Sequence, residues 1–129
     1  MITLEEILLL HKNSIRDFGG SYGVRDINLL ESAITRPFQS FEDAELYPSS
    51  FQKAAAILQS IVINHPFIDG NKRTGFLAAF ALLFRLGIEL TASNKDAYDF
   101  VVNVASSAVS FEEMTTWFAK NSQSILEKE

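Results

Sequence analysis

Apolar residues recur at helical spacing along most of the chain, and the breaks in that spacing fall at glycines and prolines. Thr3 stands three residues before Glu6, the arrangement of a capping box, and Ile7, Leu10 and Ile15 give residues 3 to about 18 one core face. The cluster Gly19-Gly20-Ser21-Tyr22-Gly23 ends that helix, because clustered glycine favours turns and positive φ. A second helix opens at Asp26 and carries Leu29, Leu30, Ala33 and an inward Ile34 before Pro37 stops it. In the third, Phe51, Ala54, Ala55, Leu58, Ile61, Val62 and His65 share one face, which places His65 on the buried side. Pro66 disfavours helical geometry at the residue before it, so this helix ends there.

The fourth helix runs from about Asn71 to Leu86 and is apolar on every side between Phe76 and Phe84, the pattern of a central helix enclosed by others. Gly87 stops it, residues 88–91 make a short extended connection, and residues 94–108 and 110–121 predict two final helices. Residues 122–129 are expected to fray. Residues 36–50 hold no period: Pro37 and Pro48 bracket Phe38, Phe41, Leu46 and Tyr47 among Glu42, Asp43 and Glu45. A loop this long is either functional or a surface loop pinned by its aromatics. These elements predict an all-α, compact bundle of about six helices, a single domain over residues 1–129.

Composition narrows the chemistry. With 47% hydrophobic and 21% charged residues the chain suits a packed core rather than intrinsic disorder. Having no cysteine, it has no disulfide, thiol nucleophile or cysteine-held zinc. The acids Glu5 and Glu6 stand where a signal peptide needs basic residues, and no apolar run reaches the roughly 18 residues of a membrane span. A cytoplasmic protein without membrane contact is expected. The net charge of −5 argues against nucleic acid as partner, since phosphate neutralisation needs a basic surface. Residues 49–90, however, carry 4 basic against 2 acidic groups, between flanks in which acids outnumber bases. Such a centre suits a small anionic ligand.

The chemistry concentrates in residues 65–75. Gly70 and Asn71 stand where a helix begins, and a first helical turn presents unpaired N–H groups and a partial positive charge. Gly70 lets a phosphate approach the backbone, Asn71 offers an amide donor, and Lys72 and Arg73 add two cations in the same turn. Asp69 precedes that turn, placed either to hold Mg²⁺ together with phosphate oxygens or simply to cap the helix. Histidine is the residue type that exchanges a proton near neutral pH, so His65 is the candidate general base; a histidine on an apolar face is also commonly just packing. Phe67 is the apolar anchor of the loop. His11, without comparable partners, is a surface or packing residue. No Walker loop, GxGxxG, HExxH or GxSxG pattern occurs.

The run His65-Pro66-Phe67-Ile68-Asp69-Gly70-Asn71-Lys72-Arg73 resembles the Fic/Doc signature HxFx(D/E)(A/G)N(G/K)R, and the resemblance extends from about residue 3 to residue 120. It implies a helical bundle that transfers part of a nucleotide to a protein hydroxyl. His65 would be the general base, Asp69 the Mg²⁺ ligand, and Gly70, Asn71 and Arg73 phosphate binders, with Lys72 beside them. Residues about 36–48 would be the flap that holds a target segment in extended form. Lys72, where AMP-transferring members have glycine, and Phe76, where they often have a second arginine, resemble the Doc branch, whose toxins move the terminal phosphate of ATP to a threonine of elongation factor Tu. No Ser or Thr is followed four residues later by Glu, so the family's built-in inhibitory motif is lacking and a separate Phd-like antitoxin is the expected brake. Two alternatives stand beside this reading. One is a nucleotidyl (AMP) transferase, favoured by Pro66 and Gly70. The other is a catalytically silent binding module, which intact His65, Asp69, Asn71 and Arg73 argue against.

Overall fold

The computed structural model of the protein describes residues 1–125. Six helices dominate it: α1 (Leu4–Phe18), α2 (Ile27–Thr35), α3 (Ser50–Asn64), α4 (Asn71–Arg85), α5 (Asn94–Ala105) and α6 (Phe111–Lys120). Four short strands complete it: β1 (Ser40–Phe41), β2 (Ala44–Glu45), β3 (Ile88–Leu90) and β4 (Ser122–Ser124). The caps are written locally. Thr3, Ser49 and Ser110 each form a reciprocal capping box with Glu6, Gln52 and Glu113, and Asp26 and Ser93 cap α2 and α5 through single side chains.

The most enclosed helix is α3, which packs against α2, α4, α5 and α6 and buries nearly every residue from Lys53 to Val62. Its partner α4 crosses so closely that a Cβ on Gly75 would stand 2.9 Å from Val62 Cγ2. Glycine inside a helix costs about 1 kcal/mol relative to alanine, and here the close crossing requires it. The helix after the catalytic loop does lie between α1, α3 and α5. It is not apolar-enclosed all round, however: Phe80 and Phe84 are exposed, because no element of the described residues covers that face.

Helix α1 runs antiparallel to α4 and is pinned to it at both ends. Near its start Glu6 pairs with Arg85 in the last turn of α4, and near its end Ser14 accepts from Arg73 in the first. Three features differ from the pattern-based expectation. The residues expected to fray at 122–124 form β4, antiparallel to β3 with Leu90 opposite Ser122; residues 126–129 lie outside the described residues. Helix α5 ends at Ala105 rather than 108, where Ser107 takes φ +60°. The segment without a period contains a 3-10 turn at Arg36–Phe38 and a tight β1–β2 hairpin, with Ser40 opposite Glu45 and both turn residues, Glu42 and Asp43, at positive φ. A two-residue loop of that hand matches the strand twist, but Glu-Asp is a poor sequence cue for it.

Candidate active site

Helix α3 ends where Pro66 requires it to, and His65 takes the left-handed conformation, φ 52° and ψ 60°. That turn swings the imidazole out of the helical face. His65 is therefore exposed, not buried as the spacing predicts, because the three-and-four rule holds only while the backbone stays helical. The end of α3 is held by Arg25, which donates from Nε to the His65 carbonyl and from Nη2 to the Asn64 carbonyl, each at 2.6 Å. Those are carbonyls that a helix end leaves without partners.

The loop between α3 and α4 is bound on every side. The backbone N–H groups of Arg25 and Asp26 both donate to the Pro66 carbonyl, Ile68 N–H donates to the Gly23 carbonyl, and Val24 bridges to Phe67. Phe67 is fully buried, as an anchor should be, and stacks on the His11 ring at 3.9 Å between centroids. Asn71 locks the loop from the other side. Its Oδ1 accepts from Phe67 N–H at 2.9 Å, its Nδ2 donates to the Phe67 carbonyl at 3.0 Å, and the same amide lies 3.5 Å from His65 Nδ1.

Gly70 caps α4 in the left-handed region, φ 76°, with no side-chain cap on the turn that follows. The first turn of α4 thus keeps its partial positive charge for an anion, and no acid stands within it. Lys72 is exposed at this turn. Arg73 reaches toward α1, donating to Ser14 Oγ at 3.1 Å and lying 4.9 Å over the Phe18 ring. The sequence-predicted group is therefore brought together, with one qualification of role: the Asn71 side chain is occupied in the loop, which leaves its backbone N–H as its contribution to an anion site.

Asp69 sits beside the turn with its carboxylate exposed, Oδ1 accepting from Gly70 N–H at 2.8 Å and Oδ2 from Ser21 N–H at 3.1 Å. The backbone bonds from Ser21 and then Gly70 hold its pKa below the usual carboxylate value, with smaller help from Arg73 and His11. An ionised carboxylate with remaining lone pairs fits a hard cation. Among the described residues no cluster of three or more His, Asp or Glu residues forms around it, so phosphate oxygens would have to supply the other ligands.

Sequence reasoning missed the clamps. Ser21, Gly23 and Arg25 were assigned no contact with the loop, and His11, expected as a surface or packing residue, is buried and in addition holds its Nε2 2.8 Å from the Asp69 carbonyl. The signal that was available was the glycine run: a Cβ on Gly20 would stand 2.8 Å from Asp69 Oδ2, so that run passes against the catalytic loop rather than merely ending a helix. Beside the turn, a groove of about 260 Å³ opens between α4 and α5, lined by Lys72, Arg73, Phe76, Tyr98, Val101 and Val102 among others.

Residues 1–83 match the model of the Fic/DOC family, a stretch that includes the whole catalytic loop. The chain is 45% identical over 75 residues to Toxin Doc of Mycolicibacterium smegmatis, a match covering 58% of each chain. It is 32% identical over 109 residues to Protein kinase doc of Escherichia phage P1, covering 84% of this chain and 85% of that one. With its signature loop, its helical bundle and these matches, the chain belongs to the Fic/Doc family.

Proposed function

We propose that this protein is a Doc-like toxin of a toxin and antitoxin pair, transferring the terminal phosphate of ATP to a hydroxyl of a target protein, with elongation factor Tu and its threonine as the target implied by resemblance. The observation that carries the reading is the juxtaposition of an exposed histidine with an uncapped helix start that carries Lys72 and Arg73. Likeness to a protein named a protein kinase supports the phosphoryl branch.

In this mechanism the phosphate nearest the turn is held by the backbone N–H groups of Asn71, Lys72 and Arg73, with the cations offsetting its charge. The target hydroxyl attacks that phosphorus, the bond to the bridging oxygen breaks, and ADP leaves with the electron pair. The hydroxyl proton passes to the His65 imidazole. Asp69 is the residue that would hold Mg²⁺, which when bound with the nucleotide supplies charge neutralisation at the phosphates. The β1–β2 hairpin, residues 40–45 within the proposed flap of about 36–48, offers exposed strand to a target segment in extended form. The exposed apolar face carrying Phe80 and Phe84 is suited to an amphipathic antitoxin segment of the Phd type that folds as it binds.

The test uses ATP labelled on the α or the γ phosphate, incubated with lysate and with purified elongation factor Tu, beside His65→Ala. Label passing to protein only from the γ position is the expected result. Transfer from the α position would instead establish the AMP-transferase reading, and absence of any His65-dependent transfer would leave a binding module.

A further inference from the structure

His11 is buried in α1, far from the catalytic loop in sequence, and nothing in the transfer chemistry above uses it. Its surroundings are specific. The ring lies flat on Phe67, 7° from parallel, and Nε2 stands 2.8 Å from the Asp69 carbonyl oxygen. A carbonyl only accepts, so Nε2 carries the hydrogen and donates it. The Asp69–Gly70 peptide is trans, so its N–H points the opposite way, onto Asp69 Oδ1 on the exposed side of the turn.

This peptide is the hinge of the anion site. It joins Asp69 to Gly70, and glycine populates positive and negative φ about equally, so the chain itself resists a peptide flip only weakly. A flip would turn the Asp69 carbonyl oxygen outward, to the side where Gly70 N–H now donates to Asp69 Oδ1, and would take that donor from the carboxylate proposed to hold the cation. Both changes disfavour a phosphate. The ring donor of His11 opposes them, since a flipped carbonyl would leave that donor buried without a partner. The backing is tight: a Cβ on Gly70 would stand 3.0 Å from Ile15 Cδ1 and 3.7 Å from His11 Nε2, so this face of α1 lies directly against the hinge.

We infer that His11 is a positioning residue: its ring N–H fixes the direction of the Asp69–Gly70 peptide and so keeps the start of α4 open to a phosphate group. The inference rests on the proposed transfer reaction for its kinetic consequence but not for its structural one. Two variants separate a donor from a packing role. His11→Phe keeps an aromatic ring on Phe67 and removes the donor, whereas His11→Gln loses the ring and can place an amide N–H near the position of Nε2. A packing role predicts that Phe is the better replacement. A positioning role predicts the reverse: His11→Phe binds nucleotide about tenfold more weakly and raises KM for nucleotide more than it lowers kcat, and His11→Gln restores most of both. Crystal structures of the two variants provide a readout that needs no nucleotide. The Asp69 carbonyl is expected to be turned or divided between two orientations in His11→Phe and single in His11→Gln. An unchanged Asp69–Gly70 peptide in His11→Phe would overturn the inference. So would nucleotide affinity as high in His11→Phe as in the unaltered protein. If the unaltered protein itself transfers nothing from ATP, the transfer reading fails, and the peptide orientation still decides the role of His11.

Discussion

The loop between α3 and α4 and the β1–β2 hairpin, assigned to the two substrates of the proposed reaction, are held in opposite ways. Between His65 and Asn71 the backbone is bonded to α1, to residues 21–26 and to Asn71 itself, with Phe67 fully buried beneath it. The hairpin exposes all of Ser40, Phe41, Ala44 and Glu45 and, among the described residues, is anchored at its base. There Arg36 donates to Tyr47 Oη at 2.9 Å and to Ser60 Oγ at 3.0 Å, while the buried Lys53 ammonium meets Glu45 and the Tyr47 carbonyl. A rigid end suits the nucleotide, because phosphoryl transfer relies on donors fixed in place before reaction. An open, weakly held strand suits a protein segment that must arrive, pair and leave. The contrast assigns separate costs to the two ends, and each can be broken separately.

The largest effect is expected at His65. Removing the proposed proton acceptor by His65→Ala should lower the proposed phosphate transfer roughly 10²- to 10⁴-fold. The domain should stay folded, because the ring is exposed and its one hydrogen-bond contact, to Asn71, is long at 3.5 Å. Circular dichroism and transfer rate on the same preparation check both halves. Next is Asn71→Ala, which strips two buried backbone groups of Phe67 of their partners. Each such group costs about 1–3 kcal/mol when left unpaired, so a stability loss of about 2–6 kcal/mol is expected in urea unfolding, along with reduced transfer. Full stability in that variant would show that the loop is held chiefly by its clamps from residues 21–26.

That division also explains what the sequence could reveal. The helices were legible because their caps are local: Thr3 with Glu6, Asp26, and Ser110 with Glu113 are each readable within a few residues. The start of α4 was legible for the same reason, because Gly70 and the residues that follow it mark a helix start locally. What escaped were contacts made across tens of residues, such as Arg25 with His65 and His11 with Asp69, for which no spacing rule exists. The exposure of His65 escaped for a different reason. A single left-handed residue cancels the periodicity that had placed its side chain inward.

At the hairpin the effects should be smaller and fall on the other substrate. Lys53→Met removes the ammonium that ties Glu45 and Tyr47 to α3 but keeps most of the buried side-chain volume. Arg36 still holds Tyr47, so the hairpin should loosen rather than detach. KM for the target protein is expected to rise roughly three- to tenfold, the size of one lost hydrogen bond of about 1 kcal/mol, with nucleotide affinity unchanged. A change in nucleotide affinity of the same size would show that the two ends are coupled, and the contrast between them would have to be abandoned.

The smallest effect tests the α1–α4 pairing at the end remote from the reaction. The Arg85 guanidinium, first through its hydrogen bonds, and the Thr3 backbone lower the Glu6 pKa from 4.5 to about 2. A carboxyl whose pKa is lowered in the folded protein stabilises it above the unfolded value and loses that contribution as pH falls from about 4.5 toward 2. Both partners are more than a third exposed, with side chains 36% and 45% accessible, so solvent screening limits the pair to about 1 kcal/mol or less. Glu6→Gln should therefore lower stability slightly at pH 7, by an amount that shrinks on acidification and vanishes near pH 2. Transfer activity per folded molecule should not change, because Arg85 lies in the last turn of α4 and the anion site in its first. If Glu6→Gln instead lowered activity as much as Lys53→Met, α1 would be transmitting strain along its length to His11 and Ser14, and the catalytic loop would be less insulated than its bonding implies.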